Sequence, residues 1–287
     1  KVAHVADYRL ALFYAGFLLR LYLTKLDPAF KPALDRAIRF VLESQYPNGG
    51  WPQRFPLRYD FGRPGHPDYT SFITFNDDVT AENVRFLIAC YVALGEERLR
   101  EPIRRGMDVY LLTQQGPPQA GWAQQYTVDL RPAGARTYEP VALLPQFTAQ
   151  HVELLMEFYR LTGDSRYMAR IPAALEWLES TKLPTAQTEG GRYTHAKFVE
   201  IDTNRPLFAH RRGSNAVNGA YYVDYEDGRP LGHYGPKRTL NGARLRRAFE
   251  ELSARPVEDV VRDSPLLPGR ADQGRRQGLV VQRTGSD

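Results

Sequence analysis

The sequence predicts an all-α protein, a toroid of three helical hairpins with long functional loops gathered at one end. Three observations carry that reading. Apolar residues recur at helical spacing in three pairs of segments, each pair leads into a similar Gly-containing turn, and long connections rich in Gly, Pro, Tyr and Arg follow.

The first pair is an apolar, aromatic-rich run over Tyr8–Leu23 and a segment over Phe30–Ser44, where Leu34, Ala37, Ile38, Val41 and Leu42 share a face; Asp27-Pro28 makes the joint. The second spans about 80–94 and 98–112 around Gly95-Glu96-Glu97, and the third about 147–161 and 165–180 around Thr162-Gly163-Asp164. The first pair leads to Gln45-Tyr-Pro-Asn-Gly-Gly-Trp51-Pro-Gln53, the second to Gln115-Gly-Pro-Pro-Gln-Ala-Gly-Trp122-Ala-Gln124, and the third to Thr188-Glu-Gly-Gly191-Arg-Tyr193. Gly50, Gly121 and Gly191 are thus about 70 residues apart, as are Tyr22, Tyr91 and Tyr159. Equivalent turns at one end of a ring are expected. Inner helices of such a ring read almost wholly apolar, as over 10–23 and 84–94, whereas outer ones are amphipathic, as over 34–42.

Pro52–Asp78, Gln124–Pro145 and Tyr193–Tyr234 are long for connections in a compact domain, which marks that end as functional. From about Arg255 onward Pro, Gly, Arg and Asp dominate without apolar periodicity, so 1–255 reads as one toroidal domain and 256–287 as a poorly ordered tail.

Composition narrows the chemistry. A chain of 287 residues that is 43% apolar can fill a sizeable core. The single cysteine, Cys90, excludes an intramolecular disulfide and a zinc–thiolate cluster, so a metal has to sit on oxygens or histidines. The most apolar stretch, Leu10–Leu26, carries Arg20 and Lys25, which argues against a membrane span. Of 38 basic residues only six are lysine, which leaves 32 arginines. That bias suits an anionic ligand, or it reflects GC-rich codons. Acidic residues are interspersed with the basic ones, which disfavours nucleic acid. The chain begins at Lys1 with no signal-type segment, and a mature or excised product is expected.

Several residues stand out. Gly49-Gly50 presents Trp51 at a turn, and Trp122 recurs at the equivalent place; the indoles either stack on a sugar face or plug the rim of the ring. Asn76-Asp77-Asp78 precedes an inner helix, where one carboxylate suffices for an N-cap and the other is available to a hard cation such as calcium. Arg136, Tyr138 and Glu139 lie side by side in the second long loop, as a site or as an exposed ion pair. Arg205, Arg211 and Arg212 cluster in the third loop. No Ser-His-Asp order, P-loop or Gly-x-Gly-x-x-Gly occurs, and the six histidines show no paired ligand spacing, so nucleotide chemistry and zinc hydrolysis are poor candidates.

Gln45-Tyr-Pro-Asn-Gly-Gly-Trp-Pro-Gln53, Ile73-Thr-Phe-Asn-Asp77, Trp122-Ala-Gln124, Ala135-Arg-Thr-Tyr-Glu139 and Thr203-Asn-Arg-Pro206 resemble, in order and spacing, the pectate lyases of polysaccharide lyase family 10, over roughly Asp7–Gly213. The resemblance implies an (α/α)3 toroid whose groove binds polygalacturonate and cleaves it by calcium-assisted β-elimination with an arginine as base. Carried over by position, Arg136 is that base, Asp77 the calcium (Ca2+) ligand, and Asp7 the second central aspartate. Lys197, Arg205 and Arg211 fall among the basic residues that meet substrate carboxylates, beside Trp51, Trp122 and Tyr138. The sequence departs from the family pattern after Asp7, at Gln125-Tyr126 and after Gly213.

An arginine base needs its pKa lowered by burial beside other cations, and an alkaline optimum follows. Two alternatives remain at this point: a non-catalytic toroid that binds acidic polysaccharide, and a glycoside hydrolase using Asp77 and Glu139 as acid and base. The expected protein is a secreted or periplasmic monomer without nucleic-acid or membrane partners.

Overall fold

Helices form where the apolar spacing places them. The structure is a computed structural model that describes residues 6–57, 68–213, 220–232 and 235–266, with side chains described from Tyr14 onward. Helices α1 (Tyr8–Lys25) and α2 (Lys31–Ser44) pack together, and the joint is fixed by the Asp27 carboxylate, which accepts the Ala29 N–H at 2.8 Å. The second hairpin is α3 (Val79–Leu94) and α4 (Arg100–Thr113). The third is α5 (Pro145–Thr162) followed by a broken outer helix, α6 (Ser165–Ala169) and α7 (Ile171–Ser180). That break corrects the single helix expected over 165–180. Pro172 stands in the first turn of α7, where its missing N–H costs nothing but its ring cannot follow an uninterrupted helix.

Inner helices α1, α3 and α5 and outer helices α2, α4 and α7 make an α/α toroid. Its core includes Leu34, Ile38, Val84, Leu87, Val109, Val152, Leu155 and Ile171, all buried. Each such aliphatic side chain contributes about 1.5–3 kcal/mol by leaving water. One flank of α1 stays open, with Tyr14 57% and Phe17 50% exposed. On the third hairpin, α8 (Gly242–Ser253) lays Leu245 and Leu252 against α5 and α7. A short α9 (Val257–Val261) packs on α5, and the Ser264 hydroxyl donates to the Leu161 carbonyl. The tail expected from 256 is therefore corrected: residues 256–266 belong to the packed body, and 267–287 lie outside the described residues.

The long loops are stitched together by short sheets. Strand β1 (Ala6–Asp7) pairs with β2 (Arg54–Phe55). Strands β3 (Ile73–Thr74), β4 (Gln125–Tyr126) and β5 (Pro132–Ala133) join the first loop to the second, and the Pro52↔Ile73 bridge extends them. Strand β6 (His195–Ala196) pairs with β10 (Lys237–Arg238), while β7 (Phe198–Val199), β8 (Pro206–Arg212) and β9 (Ala220–Asp224) form a second three-stranded antiparallel sheet. Bridges Ala123↔Leu143 and Leu143↔Val199 connect the second loop to the third. Three segments far apart in sequence thus become one surface.

Two of the three repeat turns match. The Tyr46 N–H donates to the Gly50 carbonyl at 2.8 Å and the Gln115 N–H to the Gly121 carbonyl at 3.0 Å. A Cβ at Gly50 would come within 2.5 Å of the Ile73 side chain, and one at Gly121 within 2.6 Å of the Trp177 ring. Gly191 is different and corrects the expected threefold match, since it has open space around it and a φ of +87°. The third repeat keeps a different feature. The Trp51 and Trp122 indoles each donate at 2.9 Å to a carbonyl in the last turn of the preceding outer helix, Val41 and Tyr110; in the third unit His195 Nε2 donates to Leu178 at 2.7 Å.

Candidate active site

The turn between β3 and α3 is strained. Asp77 and Asp78 both adopt the left-handed region, at φ 53° and 57°, a conformation that costs a non-glycine residue about 1–3 kcal/mol. Neither carboxylate repays this by capping: Asp78 occupies the N-cap position of α3 with no side-chain capping bond, and both side chains are exposed. The cap reading is thereby removed. What holds the turn is the framework below it, where the Thr80 hydroxyl donates to the Thr74 carbonyl at 2.7 Å and the Phe75 N–H donates to the Gln124 carbonyl at 3.0 Å.

Opposite this turn, residues 135–139 fold back on themselves. The buried Glu139 carboxylate accepts the Arg136 backbone N–H at 2.8 Å, the Arg136 Nη1 at 3.0 Å and the Gln124 Nε2 at 2.6 Å. Arg136 is gripped by a side chain only 1% exposed, while its own side chain remains 29% exposed and its Nη2 lies 3.8 Å from Asp77 Oδ2. Arg136 and Asp77 therefore face each other across one cleft. Burial disfavours the guanidinium charge, but the attraction and hydrogen bond of Glu139 more than offset it and leave the Arg136 pKa raised. This reverses the lowered basicity that the sequence argument calls for, because the nearest charge is an anion.

Lys197 lies behind this pair, between β6 and β7. It is 8% exposed, and its ammonium stands 5.4 Å from the Phe198 ring. Burial, then the positive charges of Arg238 and Arg136, push its pKa down to about 7 against the pull of Glu139 and Asp77. Arg238 is itself held by Gln146 Oε1 at 2.5 Å. On the other side of Arg136, Tyr138 meets Tyr221 with ring centroids 5.4 Å apart.

The remaining sequence candidates divide. Arg211 pairs across the sheet with Tyr221, on the face that carries Ala209 and Val223 into the cluster with Tyr138. Arg205 immediately precedes β8 at its opposite end, roughly 20 Å away at strand rise. There its guanidinium lies 3.3 Å from the centroid of Tyr225, whose hydroxyl donates to Glu200 at 2.8 Å. Arg205 and Arg211 cannot hold one carboxylate together. Trp51 and Trp122 are corrected as sugar platforms: both are 0% exposed with their N–H groups satisfied by helix carbonyls, so they are core. Asp7 pairs through its backbone with Arg54, and its side chain lies outside the described residues. Tyr69, Tyr221 and Arg238 were not legible as site residues, because each reaches Arg136 or its neighbours only through tertiary folding.

A family model described as pectic acid lyase matches residues 12–229, a span that includes Asp77, Arg136, Glu139, Lys197 and Arg211. The chain belongs to the pectic acid lyase family. It is a polysaccharide lyase. Among solved structures it is similar to a family 10 polysaccharide lyase from Cellvibrio cellulosa, with a TM-score of 0.64 and 18% identity over 85% of this chain and 79% of that one. An aspartate-to-alanine variant of a family 10 polysaccharide lyase from the same organism, in complex with trigalacturonic acid, aligns with a TM-score of 0.63, 18% identity and coverage of 84% and 79%. These likenesses establish the toroid. No curated protein matches. For this pectic acid lyase family member the glycosidase alternative loses one of its two carboxylates, since Glu139 is 1% exposed and bound to Arg136.

Proposed function

We propose that this lyase cleaves polygalacturonate, or a closely related polyuronate, by β-elimination in the cleft between Asp77 and Arg136. The observation that supports this most directly is the Arg136 guanidinium, gripped by buried Glu139 and presented 3.8 Å from an exposed aspartate. In the reaction the C5 proton passes to a base, its electron pair forms the C4–C5 double bond, and the C4 oxygen departs and takes a proton from water.

Asp77 and Asp78 suit a hard cation that takes most of its oxygen shell from substrate and water. Both carboxylates are exposed and uncommitted to capping, and among the described residues no group of three or more His, Cys, Asp or Glu forms a closed cage. When bound, calcium would neutralise the uronate carboxylate and acidify the C5 proton. Arg136 is the proposed proton acceptor. Its pairing with Glu139 makes the neutral guanidine scarce, so the rate should climb with pH through the alkaline range. Arg211, on the Tyr221 face, and Lys197 supply charge for neighbouring carboxylates.

One observation favours a second assignment of the base. Lys197, with its pKa pushed down to about 7, is a neutral amine in about half of the molecules at neutral pH and a cation in the rest, whereas Arg136 stays charged. The pH profile separates the two: a plateau above about pH 7 identifies Lys197, and a rise continuing past roughly pH 10 identifies Arg136.

A polymer has to be cut before uptake, which supports a secreted or periplasmic enzyme. Among the described residues no helix is long and apolar enough to cross a membrane. Incubation with polygalacturonate and calcium tests the reading. Ultraviolet absorbance from unsaturated uronate should grow; new reducing ends without it would indicate hydrolysis.

A further inference from the structure

With both tryptophans in the core, the flat surfaces beside Arg136 are tyrosines. Tyr138 and Tyr221 stand at 5.4 Å with planes at 61°, an edge-on pair. Both are partly exposed and partly packed on the cluster of Ala142, Leu144, Phe198 and Leu207, which fixes their rings and leaves part of each uncovered. Tyr69, also partly exposed, lies within electrostatic range of both Arg136 and Tyr138. Arg211 sits across from Tyr221 in the β8–β9 register, so charge stands on either side of the aromatic ledge and the ledge itself has none.

We propose that Tyr221, set against Tyr138, forms a sugar subsite adjoining Arg136 that takes a pyranose by its C–H face. Uncharged phenol rings neither require nor reward a carboxylate on that sugar. The ring bound there is therefore accepted as a free uronate or as its methyl ester, while the uronate at Arg136 must be charged. An amphipathic tyrosine suits this, with an apolar face for the sugar and a hydroxyl that stays wet. The inference rests on the lyase reading only for the class of ligand in the cleft.

The test is calorimetric binding of trigalacturonate and of trigalacturonate methyl-esterified only on the sugar that meets the ledge, in an Arg136→Ala background so that the ligands stay intact. Tyr221→Ala should weaken both ligands about tenfold. Tyr221→Phe should bind within about twofold of the parent, because the ring face and not the hydroxyl makes the contact. Equal binding by Tyr221→Ala and its parent would overturn the ledge. So would a Tyr221→Phe variant as weak as Tyr221→Ala, or rejection of the ester by more than about a hundredfold in the parent. Thermal melts of all three variants confirm that folded protein is compared. Binding is read separately from turnover, so a wild-type protein that binds but yields no unsaturated product defeats the lyase reading and leaves the subsite standing.

Discussion

Replacing Glu139 by Gln removes the charge that holds Arg136 in place, and the structure sets the size of the effect. The carboxylate accepts three hydrogen bonds, at 2.6, 2.8 and 3.0 Å, and its side chain is 1% exposed. A glutamine amide turns one acceptor into a donor that points at existing donors. Breaking a fully buried pair costs about 3–5 kcal/mol, but Arg136 remains 29% exposed and recovers some hydration, so about 2–4 kcal/mol is expected. For a domain of this size that lowers Tm by roughly 5–10 °C. Urea unfolding of Glu139→Gln, Arg136→Met and the double variant should give a coupling of about 1–2 kcal/mol between the two positions. A single-variant loss below about 0.5 kcal/mol would refute the argument, because it is what an exposed surface pair gives.

Two further outcomes follow from the core beneath the cleft. Trp51→Phe should cost about 1–3 kcal/mol, since the Val41 carbonyl loses its donor, while KM for polygalacturonate stays at the wild-type value; a raised KM with unchanged stability would restore Trp51 as a sugar platform. His151 is enclosed by Phe75, Tyr110, Trp122 and Phe147, and burial pushes its pKa down to about 3. Below its ordinary value near 6.5 the unfolded chain binds a proton that the folded protein refuses, so stability falls as pH drops from there toward 3. At pH 5 the loss is about 2 kcal/mol, readable as a drop in the urea midpoint that His151→Phe should abolish.

Much of the fold was legible because helical hairpins advertise themselves through a local apolar period. The features missed depend on single residues or on partners. Pro172 splits the third outer helix, and the spacing of Leu245, Ala248, Phe249 and Leu252 in α8 is a helical signal that the arginines around it obscure. Within the site, Asp77 and Arg136 were visible through their motifs, and the structure puts them face to face. The tryptophans were misassigned because a Gly-Trp turn does not reveal which way the ring goes; the carbonyls of Val41 and Tyr110 decide that. The raised pKa of Arg136 depends on Glu139 and the lowered one of Lys197 on burial and then Arg238, and no spacing in the chain encodes those surroundings. Gln125-Tyr126, where the sequence leaves the family pattern, is buried in β4, so that departure alters the framework and not the exposed cleft.

The most direct test of the central claim is the rate of unsaturated-uronate formation from polygalacturonate by wild type, Arg136→Ala and Arg136→Lys, with binding of trigalacturonate measured alongside. The account predicts product from wild type only, with binding by Arg136→Ala within about tenfold, since a proton acceptor acts on the transition state and contributes little to ground-state affinity. Arg136→Lys should fail too, because an ammonium does not reproduce the planar fork that Glu139 grips. An Arg136→Ala enzyme that forms product at the wild-type rate would contradict the assignment.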